Sequence, residues 1–287
     1  LLRPRRCCYT KIMQSLPPLP EWVKLEHKVA QILTQQEIHG WFFDESSARE
    51  LESALRTEYE AITEVLRKRF PYVAGAEFTP KRNNGKQGYI EGCTFTRLKE
   101  FNPVSRDHIS WILQIHCGWT PELLTSTGKA VIDETVLREI GTDIALKFLT
   151  LLDLTKQLGM ISEGVNAWQK LCTKSRIHHY CATNTATFRC HHRTPNLGQV
   201  PSDERFRRLF IATPGQRMVA ADLSGIELRM LAHYLARYDG GRYAEILTTG
   251  DIHQTNADKI GITRRQVKTV TYAFLYGCGD IKLGHSY

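Results

Sequence analysis

This chain reads as mainly helical as far as Lys174, and there the texture of the sequence changes. That break constrains the fold more than any single motif. A chain amphipathic at a 3.6-residue period on one side, and punctuated by proline and glycine on the other, points to an α+β architecture. Before the break, Trp22, Leu25, Val29, Ile32 and Leu33 recur at three and four, and Gly40 ends that helix. A second, longer stripe uses Leu51, Leu55, Tyr59, Ile62 and Leu66. Ser46 or Ser47 can cap it, Arg67, Lys68 and Arg69 suit its C-terminal dipole, and Pro71 closes it. The two helices read as an antiparallel pair. Pro71 to Pro103 reads as a basic, solvated loop with a short hairpin, carrying Lys81, Arg82, Lys86, Arg97 and Lys99. Helices are expected again from Ser105 to Cys117, from near Asp133, from about Gly141 to Gly159, and from Ser162 to Thr173.

After the break, Arg176 to Arg193 reads as extended or looped chain. Met218-Val-Ala-Ala221 is a short apolar run, expected as a buried strand ending at Asp222. Gly225 then starts a helix with Leu228, Leu231, Ala232 and Leu235 on one face. Asp239-Gly240-Gly241 is a turn, and the last helix spans about Thr263 to Tyr276, closed by Gly277 and Gly279. No internal repeat is visible.

At 287 residues the chain has room for about two domains. With 42% hydrophobic and 24% charged residues it is not a disordered polymer. No window approaches the roughly 18 uninterrupted apolar residues of a membrane span, so no membrane partner is expected. A formal charge of +8 permits a polyanionic partner without requiring one. Eight cysteines spread along a chain with no secretory signal suggest reduced thiols and an intracellular, cytoplasmic protein. Residues 1–20, with Pro17, Pro18 and Pro20, are expected to form a disordered leader.

Three clusters could carry chemistry. Asp222, at the end of a strand, suits a hard cation such as Mg2+, although an isolated Asp there is more commonly an N-cap. Glu227 and Arg229 follow it in the first turns of a helix. Arg264, Lys268, Tyr272 and Tyr276, each four apart, form one helical stripe. Arg264 to Tyr272 spans roughly 12 Å of helix axis, the reach of a nucleoside triphosphate. Cations for phosphates lie at one end and an aromatic ring for sugar or base at the other. A solvated basic face above an aromatic core is the plainer reading. His253, in Gly250-Asp-Ile-His253, gains weight only if it faces the same cleft. Finally, His178-His179-Tyr-Cys181 and Cys190-His191-His192 are dense enough to raise zinc, but the spacing is not a familiar finger and no CxxC is present. Packing is the favoured reading there.

In combination, Asp222-Leu-Ser-Gly-Ile-Glu-Leu-Arg229, Gly250-Asp-Ile-His253 and Arg264-x3-Lys268-x3-Tyr272-x3-Tyr276-Gly277 resemble the DNA polymerase I family (family A), especially its phage replicative members. The first block resembles the family's motif A and the last its motif B. Thr187 to Pro201 resembles the palm segment on the primer–template minor groove, and Trp22 to Asp44 the start of the thumb. The resemblance implies a right-hand polymerase with a helical thumb at 21–174, a partial palm at 175–238 with a short antiparallel sheet, and partial fingers at 239–287. It implies that Asp222 and the Leu223 carbonyl bind Mg2+. It implies that Glu227, His253, Arg264, Lys268, Tyr272 and Tyr276 bind the deoxynucleoside triphosphate, and that Arg189 and Gln199 bind primer–template DNA. A processivity factor is not implied: the Pro71 to Pro103 segment lies where one phage relative carries a longer, thioredoxin-recruiting insertion, and is short here.

Departures from the family's pattern matter, and the region from Cys181 to Cys190 is shorter and less regular than that pattern. Thr187-Phe188-Arg189 stands where the family usually has Thr-Gly-Arg. The family's downstream His-Asp-Glu motif, source of its second metal-binding carboxylate, does not occur in this sequence. The resemblance therefore implies template-directed DNA synthesis, with weak or no activity expected of this chain alone. The alternatives are a catalytically inactive DNA-binding remnant and a single-subunit RNA polymerase, against which Glu227 argues because its carboxylate would clash with a ribose hydroxyl. A host-cell cytoplasm is the expected location if the source is viral.

Overall fold

The first two helices, α1 (Glu21–His39) and α2 (Glu45–Arg69), do not pair as expected. The computed structural model describes residues 18–187, 189–280 and 283. Most of the expected leader, with Phe188, therefore lies outside the described residues. No residue of α1 is buried. Trp22, Leu25 and Ile32 of the expected stripe face solvent, at 66%, 60% and 61% exposure. The half-buried side instead runs through Val23, Glu26, Val29 and Leu33, toward strand Tyr180–Ala182, where the Thr183 hydroxyl donates to Glu26 at 3.1 Å.

The reason lies between the helices. Gly40 turns the chain at φ +68°, and a Cβ there would come within 2.8 Å of His178 Nδ1 and 3.1 Å of the Ile177 carbonyl oxygen. Only glycine offers both that conformation and that closeness. The turn feeds strand β1 (Trp41–Phe43), which redirects α2 away from α1. Asp44, not either serine, then caps α2. Its carboxylate accepts from the backbone N–H groups of Ser46 and Ser47 at 3.1 Å and from the Ser47 hydroxyl at 2.7 Å. Those bonds hold Asp44 below the usual carboxylate range.

Pro71 to Pro103 is a hairpin, β2 (Tyr72–Phe78) paired antiparallel with β3 (Phe95–Glu100). Its tip is folded too. Phe78, Tyr89 and Phe95 form an aromatic cluster, and Arg97 lies 4.7 Å from the Phe78 ring centre. Helices α3 (Arg106–Cys117), α4 (Glu134–Ile140) and α5 (Asp143–Leu158) follow. Asp133 and Thr142 cap α4 and α5 through the backbone N–H groups of Val136 and Ala145. The helix expected at Ser162 to Thr173 shrinks to α6 (Trp168–Leu171), after a π-helical turn at Gly159–Glu163. Gly164, a poor helix former, interrupts it.

Beyond α6 the expected antiparallel sheet appears, built from β4 (Cys172–Thr173), β5 (Arg176–Ile177), β1 and β8 (Phe210–Ile211) in the order β4-β5-β1-β8. β6 (Tyr180–Ala182) and β7 (His191–Arg193) form a separate antiparallel hairpin. A short helix α7 (Glu204–Arg207) precedes β8. Met218 to Ala221 is not a strand: Val219 is 89% exposed and no ladder reaches it. Without a partner strand its amides stay with water, which four apolar side chains cannot outweigh.

Two apolar clusters hold this part together. One gathers Phe70, Phe101, Ile109, Ile112, Leu137 and Phe148. The other gathers Phe43, Leu55, Leu158, Trp168, Ile177 and Phe206 around the sheet. Tyr59 and Ile62 of α2 touch both, so α2 and α5 run as a common wall. Each fully buried large side chain contributes about 1.5–3 kcal/mol of transfer free energy.

The chain divides into two compact units, Leu1–Met218 and Val219–Tyr287. The second contains α8 (Ile226–Asp239), α9 (Arg242–Thr249), α10 (Ile252–Ile260) and α11 (Arg264–Leu275). Asp239 caps the turn into α9 by accepting from Gly241 and Tyr243 N–H at 2.9 Å. None of the described helices is long and apolar enough to cross a membrane.

Candidate functional site

The second unit joins the ends of its own sequence. The Tyr276 hydroxyl, just past α11, donates to the Glu227 carboxylate in the first turn of α8 at 3.1 Å. Residues 49 positions apart thus meet at one place. Each end is fixed locally. Gly225 precedes α8 at φ +60°, a left-handed conformation costly for other residues, and Arg229 Nε donates back to the Ser224 carbonyl at 2.8 Å. At the start of α11 the Thr263 hydroxyl accepts from Gln266 N–H, and the Gln266 side chain accepts from Thr263 N–H at 3.0 Å, a reciprocal capping box.

On α11 the expected stripe has Arg264, Lys268 and Tyr276 exposed and Tyr272 half-buried. Arg264 Nε donates to Asp251 Oδ2 at 2.7 Å. Asp251 also caps α10, accepting from His253 and Gln254 N–H. The Arg264 guanidinium and these N–H donors hold the Asp251 carboxyl below its ordinary value. His253, in the first turn of α10, is 9% exposed, and its ring centre lies 6.1 Å from that of Tyr272. Burial lowers the His253 pKa, Arg264 and Lys268 push it the same way, and Asp251 opposes them. Burial raises the Tyr272 pKa, and Glu227 and Tyr276 raise it further. Arg264, Lys268, His253, Tyr272, Tyr276 and Glu227 therefore form one electrostatic neighbourhood, cationic at the start of α11 and aromatic and acidic at its end.

Asp222 and Leu223 are placed differently. Both lie exposed in the irregular segment before Gly225, Leu223 at 69%, and Asp222 has no ion pair among the described residues. Their oxygens are the donor type a hard cation such as Mg2+ takes, one carboxylate and one carbonyl, which is part of the donor set of a two-metal site. Arg189 and Gln199 belong to the first unit. Arg189 sits in the connection between β6 and β7, its carbonyl accepting from Thr185 Oγ1 at 2.9 Å, and Gln199 is the exposed end of a 3-10 turn, Leu197–Gln199. Sequence reasoning gave Asp251 no role. An Asp just before a helix, followed by an Arg one short helix later, was the available signal.

Comparison with known proteins gives a consistent set of likenesses. The profile for DNA polymerase family A matches residues 81–287. The DNA-directed DNA polymerase of Escherichia phage T7 is 32% identical over 92% of this chain and 46% of that protein. That of Enterobacteria phage T3 is 33% identical with the same coverage. DNA polymerase I of Chloroflexus aurantiacus is 31% identical over 92% of this chain and 27% of its own length. The chain thus spans about half the length of the phage relatives it matches. Among solved structures, the POL domain of Pol1 from M. smegmatis, in complex with DNA primer-template and dNTP, has a TM-score of 0.68 at 21% identity, covering 89% of this chain and 43% of that one. That likeness shows the fold: a mainly helical α+β polymerase domain with small antiparallel sheets.

Proposed function

The chain belongs to DNA polymerase family A, and on that premise we propose that it serves template-directed DNA synthesis, with the second unit holding the incoming deoxynucleoside triphosphate. The observation that carries this reading is the Tyr276–Glu227 hydrogen bond. It brings the two resembling motifs together in one unit, with the cations of α11 alongside. Membership sets aside the single-subunit RNA polymerase alternative. Residues 21–174 are read as thumb, 175–238 as partial palm, reaching from the first unit into the second, and 239–287 as partial fingers.

In this reading, Arg264 and Lys268 hold the triphosphate, a fork and a mobile point charge on a flexible polyanion. Asp251 now occupies Arg264, so nucleotide binding exchanges one anion for another. His253, kept neutral by burial, donates a hydrogen bond to a phosphate oxygen. Tyr272 packs on the sugar and base, and Tyr276 lies near the template base. Glu227 closes the space that a ribose 2′-hydroxyl would need. Arg189 and Gln199 contact minor-groove acceptors shared by all base pairs, which tests pairing without reading sequence. Asp222 and the Leu223 carbonyl would hold Mg2+, which when bound neutralises the triphosphate and activates the primer 3′-oxygen. The reaction forms the bond from that oxygen to the α-phosphorus and breaks the bond to the leaving pyrophosphate. The proton of the 3′-hydroxyl passes to solvent.

The test is binding of fluorescent deoxynucleotide to the chain in the presence of primer–template DNA. Arg264→Ala and Lys268→Ala are each expected to weaken it about tenfold or more. Glu227→Ala should narrow the preference for deoxynucleotide over ribonucleotide. Nucleotide affinity unchanged by either cation, in protein with wild-type circular dichroism, would refute this reading.

A further inference from the structure

The β6–β7 hairpin carries a symmetrical arrangement of soft ligands that the polymerase reading does not use. Along the sequence it is His179-x-Cys181 on one arm and Cys190-x-His192 on the other. Alternate residues of a strand share a face, and Cys181 is paired directly with His192 across the ladder. One ligand-bearing face on each arm therefore meets the other.

The side chains confirm the meeting. The ligand atoms of His179, Cys181 and His192 all lie within 4.8 Å of one another. Cys181 Sγ is 4.0 Å from His192 Nε2, and the His179 and His192 rings stack at 5.2 Å. Cys190 stands two residues before His192 on the same arm, the spacing at which side chains share a face, and both it and Cys181 are free. His179 is 2% exposed, and neither of its ring nitrogens has a hydrogen-bond partner among the described residues. The Nδ1 of His192 is likewise buried without a partner. Leaving such groups unmade costs about 1–3 kcal/mol each, so a packing role alone explains them poorly.

We propose that His179, Cys181, Cys190 and His192 form a structural Zn2+ site that clamps the β6–β7 hairpin. Two thiolates and two imidazoles are a complete tetrahedral donor set for that ion. In such a shell the ligand atoms stand roughly 3.3–3.8 Å apart, so the observed cluster needs to close by about 1 Å. Cys190, exposed at the end of the connection, completes the shell by turning toward its neighbour. Binding releases the two thiol protons to solvent as the Zn–S bonds form. The neighbours fit the assignment. His178 is already engaged, its Nδ1 2.8 Å from the Glu37 carbonyl oxygen, while the His191 ring lies against Tyr180, with its Nδ1 also buried and without a partner among the described residues. The closed set leaves no open position for chemistry, so the ion is structural. If the proposed function is right, the clamp also fixes the short connection that presents Arg189.

The 287-residue chain, purified under reducing conditions, tests this. Elemental analysis after exhaustive dialysis should find about one zinc per chain. Cobalt replacing it should give thiolate-to-metal charge transfer and the intense visible bands of a tetrahedral site. Cys181→Ser and Cys190→Ser should each retain zinc at least about tenfold less well against a chelator, whereas Cys93→Ser, on the distant β2–β3 hairpin, should match wild type. Absence of stoichiometric zinc, with no tetrahedral cobalt spectrum, overturns the proposal. So does a Cys181–Cys190 disulfide that persists under reductant, or equal retention in all the cysteine variants. Should the serine variants fold poorly, the cobalt spectrum of the wild-type chain decides. None of these readouts depends on nucleotide or DNA binding, so the polymerase reading can fail while the metal site stands, and the reverse.

Discussion

The two units are held together by different physics. The first buries whole aromatic and aliphatic side chains, among them Phe43, Phe101, Phe148 and Phe206 at 0–1% exposure. In the second, the buried apolar residues among those described are Leu228, Ala232, Ile252, Ala257 and Val267. Larger side chains there stay outside: Tyr238 is 81% exposed and Phe274 70%. What the second unit has instead is end chemistry. Caps at Asp239, Asp251 and Thr263, the Arg264–Asp251 pair and the Tyr276–Glu227 bond join its helices at their termini. Burial is non-directional and gives rigidity. Terminal hydrogen bonds give placement with little depth, which suits a surface that must admit a charged ligand.

The sharpest way to break that contrast is to empty each unit in turn. Phe148→Ala should cost about 3–5 kcal/mol, and Val267→Ala roughly 1–2 kcal/mol, both read from urea unfolding curves. A smaller loss at Phe148 than at Val267 would reverse the comparison. Next comes pH. Because burial lowers the His253 pKa, the folded unit binds fewer protons there than the unfolded chain. That contribution to stability is fully present above the ordinary histidine pKa and is lost as pH falls through the depressed folded value. Protection factors for hydrogen exchange along α10, taken relative to the intrinsic rate at each pH, should fall in that acidic window, and His253→Gln should remove the dependence. Thr263→Ala should follow, costing about 1 kcal/mol and fraying α11 at its first turn while leaving the first unit untouched. Smallest of all, Trp22→Ser on the outer face of α1 should leave the unfolding midpoint of the first unit within about 0.5 kcal/mol of wild type.

Legibility in the sequence follows the same division. The last helix could be read with its start at Thr263, because capping and periodicity are both local. The cap at Asp133 and the glycine entry to α8 were equally local. Pairings were not. Trp41–Phe43 is too short to show a period, so the central strand of the sheet went unseen, and with it the reason α1 and α2 diverge. The stripe on α1 was legible as helix but not as to which side faced the protein, since Glu26 belongs to the inward side and Trp22 does not. The short helices α9 and α10 were missed for want of length. The stripe from Arg264 to Tyr276 was visible, but its bond to Glu227 was not, because nothing in either segment encodes the other. Zinc was disfavoured on spacing alone; ladder register brought the two arms together.

The short strand after Gly40 also sets an order of events. Its partners, Arg176–Ile177 and Phe210–Ile211, lie roughly 135 to 170 residues further along the chain. Nearly all of the first unit must therefore leave the ribosome before that strand has anything to pair with. The helices α2 to α5 can collapse on local contacts in the meantime. Closing so long a loop costs entropy that the ladder bonds must repay. Three residues, Trp41 to Phe43, thus tie the early part of the first unit to its last strand.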